Sequence, residues 1–439
     1  MENEYTRREF LALTAASAAG SFLIGCAGPP DVYVPPLLDQ APDGPELQAA
    51  LVGCGGRGTG AAMNFLDAGP NLRLTALGDV FQDRLEGCRQ RLKEQRDVEI
   101  ADDHCFVGFD AYQRVLDTDV DLVMFATPPH FRPLHFAAAV AAGKHVFLEK
   151  PLAVDPVGAR SVMVTAKKAK NLGLNVATGT QYRHQRDFVA TYQQVMAGAI
   201  GEIEAAYAYY DTGQLWYRES RPDWSEMEYM IRDWVNWRWL SGDHIVEQFI
   251  HNLDTMYWFL GAHPVKAVGY GGRARRVTGD QFDFFSVEYV YDSGLHLSAM
   301  CRQINGTVHD VSNRLVGTNG ITNVRNTIQR PDGKTVWQYQ YPEEVKEVPW
   351  GAGTGQVAVS PYVQEHIDAV TNIRNNTPLV EAENTAISTM MAIMGREAAY
   401  TGQAVTWEDM MSSQLRLGPE EYAWGPVDID KNVPVPGTA

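Results

Sequence analysis

Two short stretches place charged groups where an enzyme would use them. In "KHVFLEKPLA" (144–153), Glu149, Lys150 and Pro151 close an apolar run. The carboxyl end of such a run is where open α/β sheets bind ligands. In "GDHIVEQFIHNLDTMYWFLG" (242–261), helical spacing gathers Glu247, His251, Asp254 and Trp258 on one face, and Ile245, Phe249, Leu253, Met256 and Leu260 on another. Glu247 and His251 then stand one turn apart. Such a carboxylate and imidazole are candidates for proton transfer, for half of a metal site, or for a merely solvated polar face. No third metal ligand is signalled, and the five cysteines (Cys26, Cys54, Cys88, Cys105, Cys301) contain no CxxC pair. Neither a metal centre nor a disulfide framework is therefore expected.

The elements that must position these groups begin at Leu47. "LQAALVG", "LRLTALGD", "DLVMFATPP", "KHVFLEKP" and "LNVATGT" read as apolar strands, separated by segments with helical periodicity. Such a βαβ series predicts a doubly wound parallel sheet. Between the first strand and the first helix lies Gly53-Cys54-Gly55-Gly56-Arg57-Gly58. In GxGxxG the first glycine permits a tight turn, the second lets backbone approach a pyrophosphate, and the third lets helix pack on strand. Asp79 ends the second strand, where a carboxylate accepts hydrogen bonds from an adenosine ribose and repels a 2′-phosphate. NAD is thus favoured over NADP, with Arg84 nearby as the counter-argument.

After Gly179 the alternation stops. Several strand-like runs with few helices between them, punctuated by Asp292-Ser293-Gly294 and Asn319-Gly320, predict a second domain of α+β type with an open, mainly antiparallel sheet. Six of the ten tryptophans fall between 207 and 258, interleaved with Arg218, Arg221, Asp223, Arg232 and Asp233. That mixture suits a carbohydrate surface, with Trp234 and Trp237 as candidates, or a core or subunit interface.

At the N-terminus Arg7 and Arg8 precede an apolar, small-residue run ending in Leu23-Ile24-Gly25-Cys26. This reads as a Tat export signal over 1–26 with a lipobox-like end, so a lipid anchor at Cys26 and a periplasmic or membrane-anchored location are expected. Residues 27–46 have the proline content of a linker. The remaining boundaries are a Rossmann domain at 47–180, a second domain at 181–410 and a tail at 411–439. A net charge of −17 without a basic block argues against a nucleic-acid partner.

"GCGGRG", "ATPPHFRPLHFAAAVAAGKHVFLEKP" and "GDHIVEQFIHNLDTMYWFLGAHP", in that order, resemble the Gfo/Idh/MocA family of NAD(P)-dependent oxidoreductases. The resemblance covers nearly everything from Leu47 to about Trp407. It implies a Rossmann domain joined to an open antiparallel sheet, and a homo-oligomer. It places Lys150 against a substrate hydroxyl beside the nicotinamide, Pro151 after a cis bond, Glu149 as orienter of the lysine or contact of the cofactor, and Thr127, Pro128 and His130 against the cofactor. His251 becomes the acid/base, with Glu247 standing where many members have aspartate, and Arg183, His184 and Asp254 line the substrate pocket, His184 being equally a structural hydrogen-bonding histidine. The implied activity is oxidation of a sugar or glycoside hydroxyl, at ring carbon 3, with NAD tightly held. The alternative is an NAD-dependent glycosidase or lyase working by transient oxidation.

Overall fold

Six strands form the first sheet: β1 (Leu47–Val52), β2 (Leu72–Asp79), β3 (Cys105–Val107), β4 (Leu122–Phe125), β5 (His145–Leu148) and β6 (Val176–Thr178). They run parallel in the order β3-β2-β1-β4-β5-β6. The computed structural model describes residues 34–341, 346–347, 356–357 and 359–438. The export signal, Cys26 and the first part of the linker lie outside the described residues.

Both faces of this sheet are covered, which is why its central strands read as unbroken apolar runs. Helices α1 (Gly56–Leu66), α2 (Gln82–Arg96), α3 (Ala111–Leu116), α4 (Arg132–Ala141) and α5 (Pro156–Asn171) supply the crossovers. Leu51, Met124 and Phe147 face one core with α1 and α2; Val52, Phe125 and Leu148 face the other with α4 and α5.

After α6 (Arg186–Met196), strand β7 (Ile203–Thr212) enters a second sheet. Three short helices follow, α7 (Glu226–Arg232), α8 (Arg238–Ser241) and α9 (His244–Glu247), and then the longer α10 (Ile250–Leu260). Strands β8 (Lys266–Gly272), β9 (Phe284–Val290), β10 (His296–Gln303) and β11 (Asp310–Gly317) then complete the centre of a nine-stranded sheet. Among these central strands only β7 and β10 pair in parallel; the others are antiparallel. Alternating burial along β10 shows one face packed and one open.

Helix α11 (Pro361–Arg374) packs beside α1, and α12 (Ala382–Thr401) runs from the Rossmann core to β8 and β9. Twenty residues of helix reach about 30 Å, enough to act as a beam joining both sheets. Arg396 of α12 is fully buried and donates from Nη1 to Val154 O (2.7 Å) and Gly242 O (3.0 Å). One guanidinium thereby fixes the chain just after Pro151 to the chain just before α9.

Both predicted end segments fold onto the body. In the described part of the linker, Ala41 is buried and donates its N–H to Ala68 O, and Arg374 donates to Pro42 O and to Pro70 O (2.8 Å). The tail buries Val427 against Phe81 and Trp239. A proline-rich or aperiodic segment packs when single side chains and free carbonyls find partners, and composition does not reveal those partners.

Three residues expected at the substrate rim, Arg183, His184 and Asp254, are instead internal ties. Arg183 forms a two-bonded pair with Asp254 (2.7 and 2.9 Å), and Ser388 donates to the same carboxylate at 2.6 Å. His184 lies between Asp368 (2.8 Å) and Glu381 (3.2 Å), with its side chain 2% exposed. Burial opposes its protonation, but Glu381 and Asp368 prevail and hold the imidazole well above its ordinary value. That stabilisation is full below the unfolded histidine's pKa, near 6.5, and fades as pH rises through the elevated folded value. Glu381 is lowered in turn, so its share is lost as pH falls through that lowered value. His184→Ala strands two buried carboxylates and is expected to cost about 3–5 kcal/mol, read as a lower urea midpoint at neutral pH. An unchanged midpoint would show that the triad adds nothing.

Candidate active site

The glycine-rich turn is shaped by space as much as by torsion. Gly53 takes φ +99°, and a Cβ there would stand 2.7 Å from Ala126 C; a Cβ on Gly58 would stand 1.8 Å from Gly53 O. At Gly55 and Gly56 nothing lies within 4 Å of the missing Cβ. This open side faces a cleft of about 380 Å³ lined by the turn and by Asp79, Thr127 and Pro128, the size of a small-molecule or cofactor site. Helix α1 has no side-chain cap and no acid in its first turn, so its leading amides remain for an anion. Asp79 accepts Cys54 N at 2.6 Å and Phe81 N at 2.8 Å. Burial raises its carboxyl, against the lowering pull of those two amides. The residues fit a dinucleotide. Gly58→Ala drives a methyl into the turn and is expected to abolish nucleotide retention, measured as nucleotide released per chain on denaturation.

Arg57 leaves this turn towards Glu149, which accepts from its Nε, and towards Glu365 (3.3 Å), with its guanidinium 4.7 Å over Tyr362. Glu149 is thus bound to the turn itself. Glu365 is buried, and its carboxyl is pushed well up by that burial despite Arg57.

The Lys150–Pro151 bond is cis. Lys150 Nζ donates to Glu247 Oε1 at 2.9 Å and to Glu247 O, and both side chains are largely enclosed, 11% and 7% exposed. Glu247 Oε2 accepts from Gln248 Nε2, and Gln248 Oε1 accepts Tyr210 O–H at 2.9 Å. A chain from β7 to β5 therefore fixes the ammonium.

Why the Glu247 carbonyl is available follows from a break in the predicted helix. The continuous helix expected over 244–260 is interrupted: Gln248 N and Phe249 N both donate to His244 O at 3.0 Å, and His251 N turns to Gln248 O at 3.3 Å. In an unbroken helix the Glu247 carbonyl would accept His251 N; here it accepts Lys150. Slipped turns of this kind are frequent at functional sites.

His251 lies partly buried beside Tyr182, with ring centres 5.5 Å apart. Among the described residues its hydrogen bonds are backbone ones, to Gln248 O and from Thr255 Oγ1 (2.7 Å), leaving the ring for a substrate. Burial first, then the charges of Lys150 and Arg57, hold the imidazole well below its ordinary value. It is neutral at neutral pH and can accept a proton.

Lys150, Glu247 and His251 are brought together; several other candidates are not. His130 bonds Tyr422 O–H (2.7 Å) and packs on Trp239, away from the cleft, while His135 lines it and meets Thr127 Oγ1 at 3.2 Å. Burial lowers His130 to about 3. Trp237 is 8% exposed within an apolar core. Trp234 lines the dinucleotide cleft. Arg183, His184 and Asp254 face their partners described above. Nothing in the sequence singled out Phe81 or Tyr112, which line the cleft, and Trp216, Arg218 and Arg232 of the aromatic stretch sit there too.

Comparison with known proteins agrees with this geometry. The family described as "Oxidoreductase family, NAD-binding Rossmann fold" matches residues 47–178, and the "GFO/IDH/MocA C-terminal domain" matches 188–322. D-glucoside 3-dehydrogenase of Escherichia coli is 27% identical over 222 residues, which are 51% of this chain and 56% of that protein. A glycosyl hydrolase family 109 protein of Streptomyces coelicolor is 34% identical over 113 residues, 25% of this chain and 23% of that one. Among solved structures, GenD2 from gentamicin A biosynthesis in complex with NAD shares the fold, with a TM-score of 0.63 at 17% identity over 84% of this chain and 98% of that one.

Proposed function

Because the chain belongs to the Gfo/Idh/MocA family of NAD-binding oxidoreductases, we propose that it oxidises a secondary hydroxyl of a sugar or glycoside, at ring carbon 3, with NAD retained between turnovers. The observation that carries this reading is the Lys150 ammonium, held by both the carboxylate and the carbonyl of Glu247 beside a neutral His251. Bound NAD supplies the hydride acceptor. Lys150 donates a hydrogen bond to the substrate oxygen and stabilises negative charge there as its proton leaves. His251 takes that proton, and Glu247 keeps the ammonium in place. The 3-position rests on the likeness to a D-glucoside 3-dehydrogenase.

The family 109 likeness favours a second reading in which the oxidation is transient. A ketone acidifies the neighbouring C–H, loss of that proton expels the aglycone, water adds to the resulting double bond, and the hydride returns. Incubation with a panel of glycosides separates the two. A keto-sugar that accumulates supports net oxidation, released aglycone without net redox change supports cleavage, and neither product with any glycoside would end both readings.

The twin-arginine start and the lipobox-like end at Cys26 support export and a lipid anchor. Exposed Val268, Tyr270 and Met300 on the open sheet face support self-association.

A further inference from the structure

The cleft has a wall that the Rossmann domain does not supply. Beside Asp79, Phe81 and Arg84, the lining includes Trp216, Arg218 and Arg232, all from the segment between β7 and α8. Arg232 is the clasp. It donates to both oxygens of Asp83 (3.0 and 3.1 Å) and to Glu228 (2.8 Å), and its guanidinium lies 3.9 Å over the Phe81 ring. A two-bonded arginine stacked on an aromatic face is specific in geometry, so α7 is pinned to the Rossmann domain at the end of β2.

The tail packs on two of the residues that line the cleft. Trp424 stacks on Phe81 (5.6 Å between centres) and meets Phe109 (4.9 Å). Gly425 O accepts Met227 N at 3.0 Å, Val427 N donates to Glu226 at 2.7 Å, and Lys431 pairs with the same glutamate at 2.7 Å. The tail therefore ties α7 to the two aromatic residues flanking Asp79.

Several arginines crowd this wall, with Asp79, Asp83 and Asp233 among them. Among the described residues Arg84 and Arg218 form no ion pair with a carboxylate, although the chain carries a net charge of −17. Burial and the neighbouring charges of Arg84 and Arg232 press the Arg218 guanidinium downward. Arg84 and Arg218, held by no direct ion pair, are free to turn towards an anionic ligand in the cleft.

We propose that residues 216–234 and 422–431 form a two-part clamp on the adenosine diphosphate end of the dinucleotide, so that NAD leaves only when the Arg232 clasp and the Trp424 strap both open. This rests on NAD retention as read above and assigns it to residues outside the Rossmann domain. The clamp touches the adenosine end alone, so it acts on ADP-ribose as it does on NAD.

The test is made on the whole protein purified without added nucleotide. Nucleotide per chain is quantified after gel filtration and denaturation, and bound NAD is then chased with an adenine-modified fluorescent analogue. Wild type is expected to carry NAD. Arg232→Lys, which keeps the charge and loses the fork, and Trp424→Ala, which opens the other half, are each expected to release it at least about tenfold faster, the size of one lost charged hydrogen bond or stack. ADP-ribose loaded into stripped protein should show the same acceleration. Loaded wild type with unchanged release in both variants overturns the clamp and leaves NAD retention standing. Wild type that emerges empty and exchanges freely overturns retention and the clamp together.

Discussion

Lys150→Ala is expected to lower kcat by about 10²–10³-fold or more, the size of losing a preorganised donor to a developing oxyanion, while nucleotide content stays at the wild-type level. The two readouts separate because Lys150 is tied to Glu247, whereas the cleft for the dinucleotide is built from the glycine turn, Asp79 and Thr127. The Glu247 carboxylate and carbonyl both face the ammonium, so the variant also leaves two acceptors unpaired in a nearly enclosed place. Lys150→Arg tests whether charge alone suffices. A planar fork cannot reproduce the single point that bonds carboxylate and carbonyl together, so it should recover little activity. Full turnover in Lys150→Ala would remove this residue from the mechanism.

How far the sequence carries the site depends on whether a residue's partners are near it in the chain. The Rossmann sheet was legible because strands buried on both faces must be apolar, and "LVMF" and "HVFL" are. The glycine turn was legible because Gly53 and Gly58 leave no room for another residue. The second sheet was legible from its turns, though the parallel pairing of β7 with β10 was not, since register across a long connection leaves no local trace. Arg183, His184 and Asp254 were expected at the substrate rim from their places after β6 and on the candidate helix, while what ties them, the Arg183–Asp254 pairing itself and Asp368, Glu381 and Ser388, joins residues far apart in the chain. The tail escaped notice for a similar reason: Tyr422, Trp424 and Val427 anchor it singly, without period. The break after Glu247 could not be read from helical spacing, because its consequence is a hydrogen bond to Lys150 from another domain. There a local rule failed and a site lies behind the failure, as expected where function overrides propensity.

His251→Ala should lower kcat by about 10²–10⁴-fold, the usual share of a positioned general base, and again leave NAD in place. The pH profile is the sharper readout, because a merely structural histidine would not move it. The imidazole must be neutral to accept the substrate proton, so activity falls as pH drops through its pKa. Since burial, Lys150 and Arg57 all hold that pKa below the ordinary histidine value, wild type should keep its kcat/KM well below pH 6.5, the ordinary value, and lose it only in more acidic buffer. Arg57→Gln removes one of the two positive charges. At saturating NAD it should therefore move the acid limb towards higher pH, while His251→Gln should abolish that limb along with most of the rate. An acid limb that stays in place in Arg57→Gln and persists in His251→Gln would assign the proton to another group.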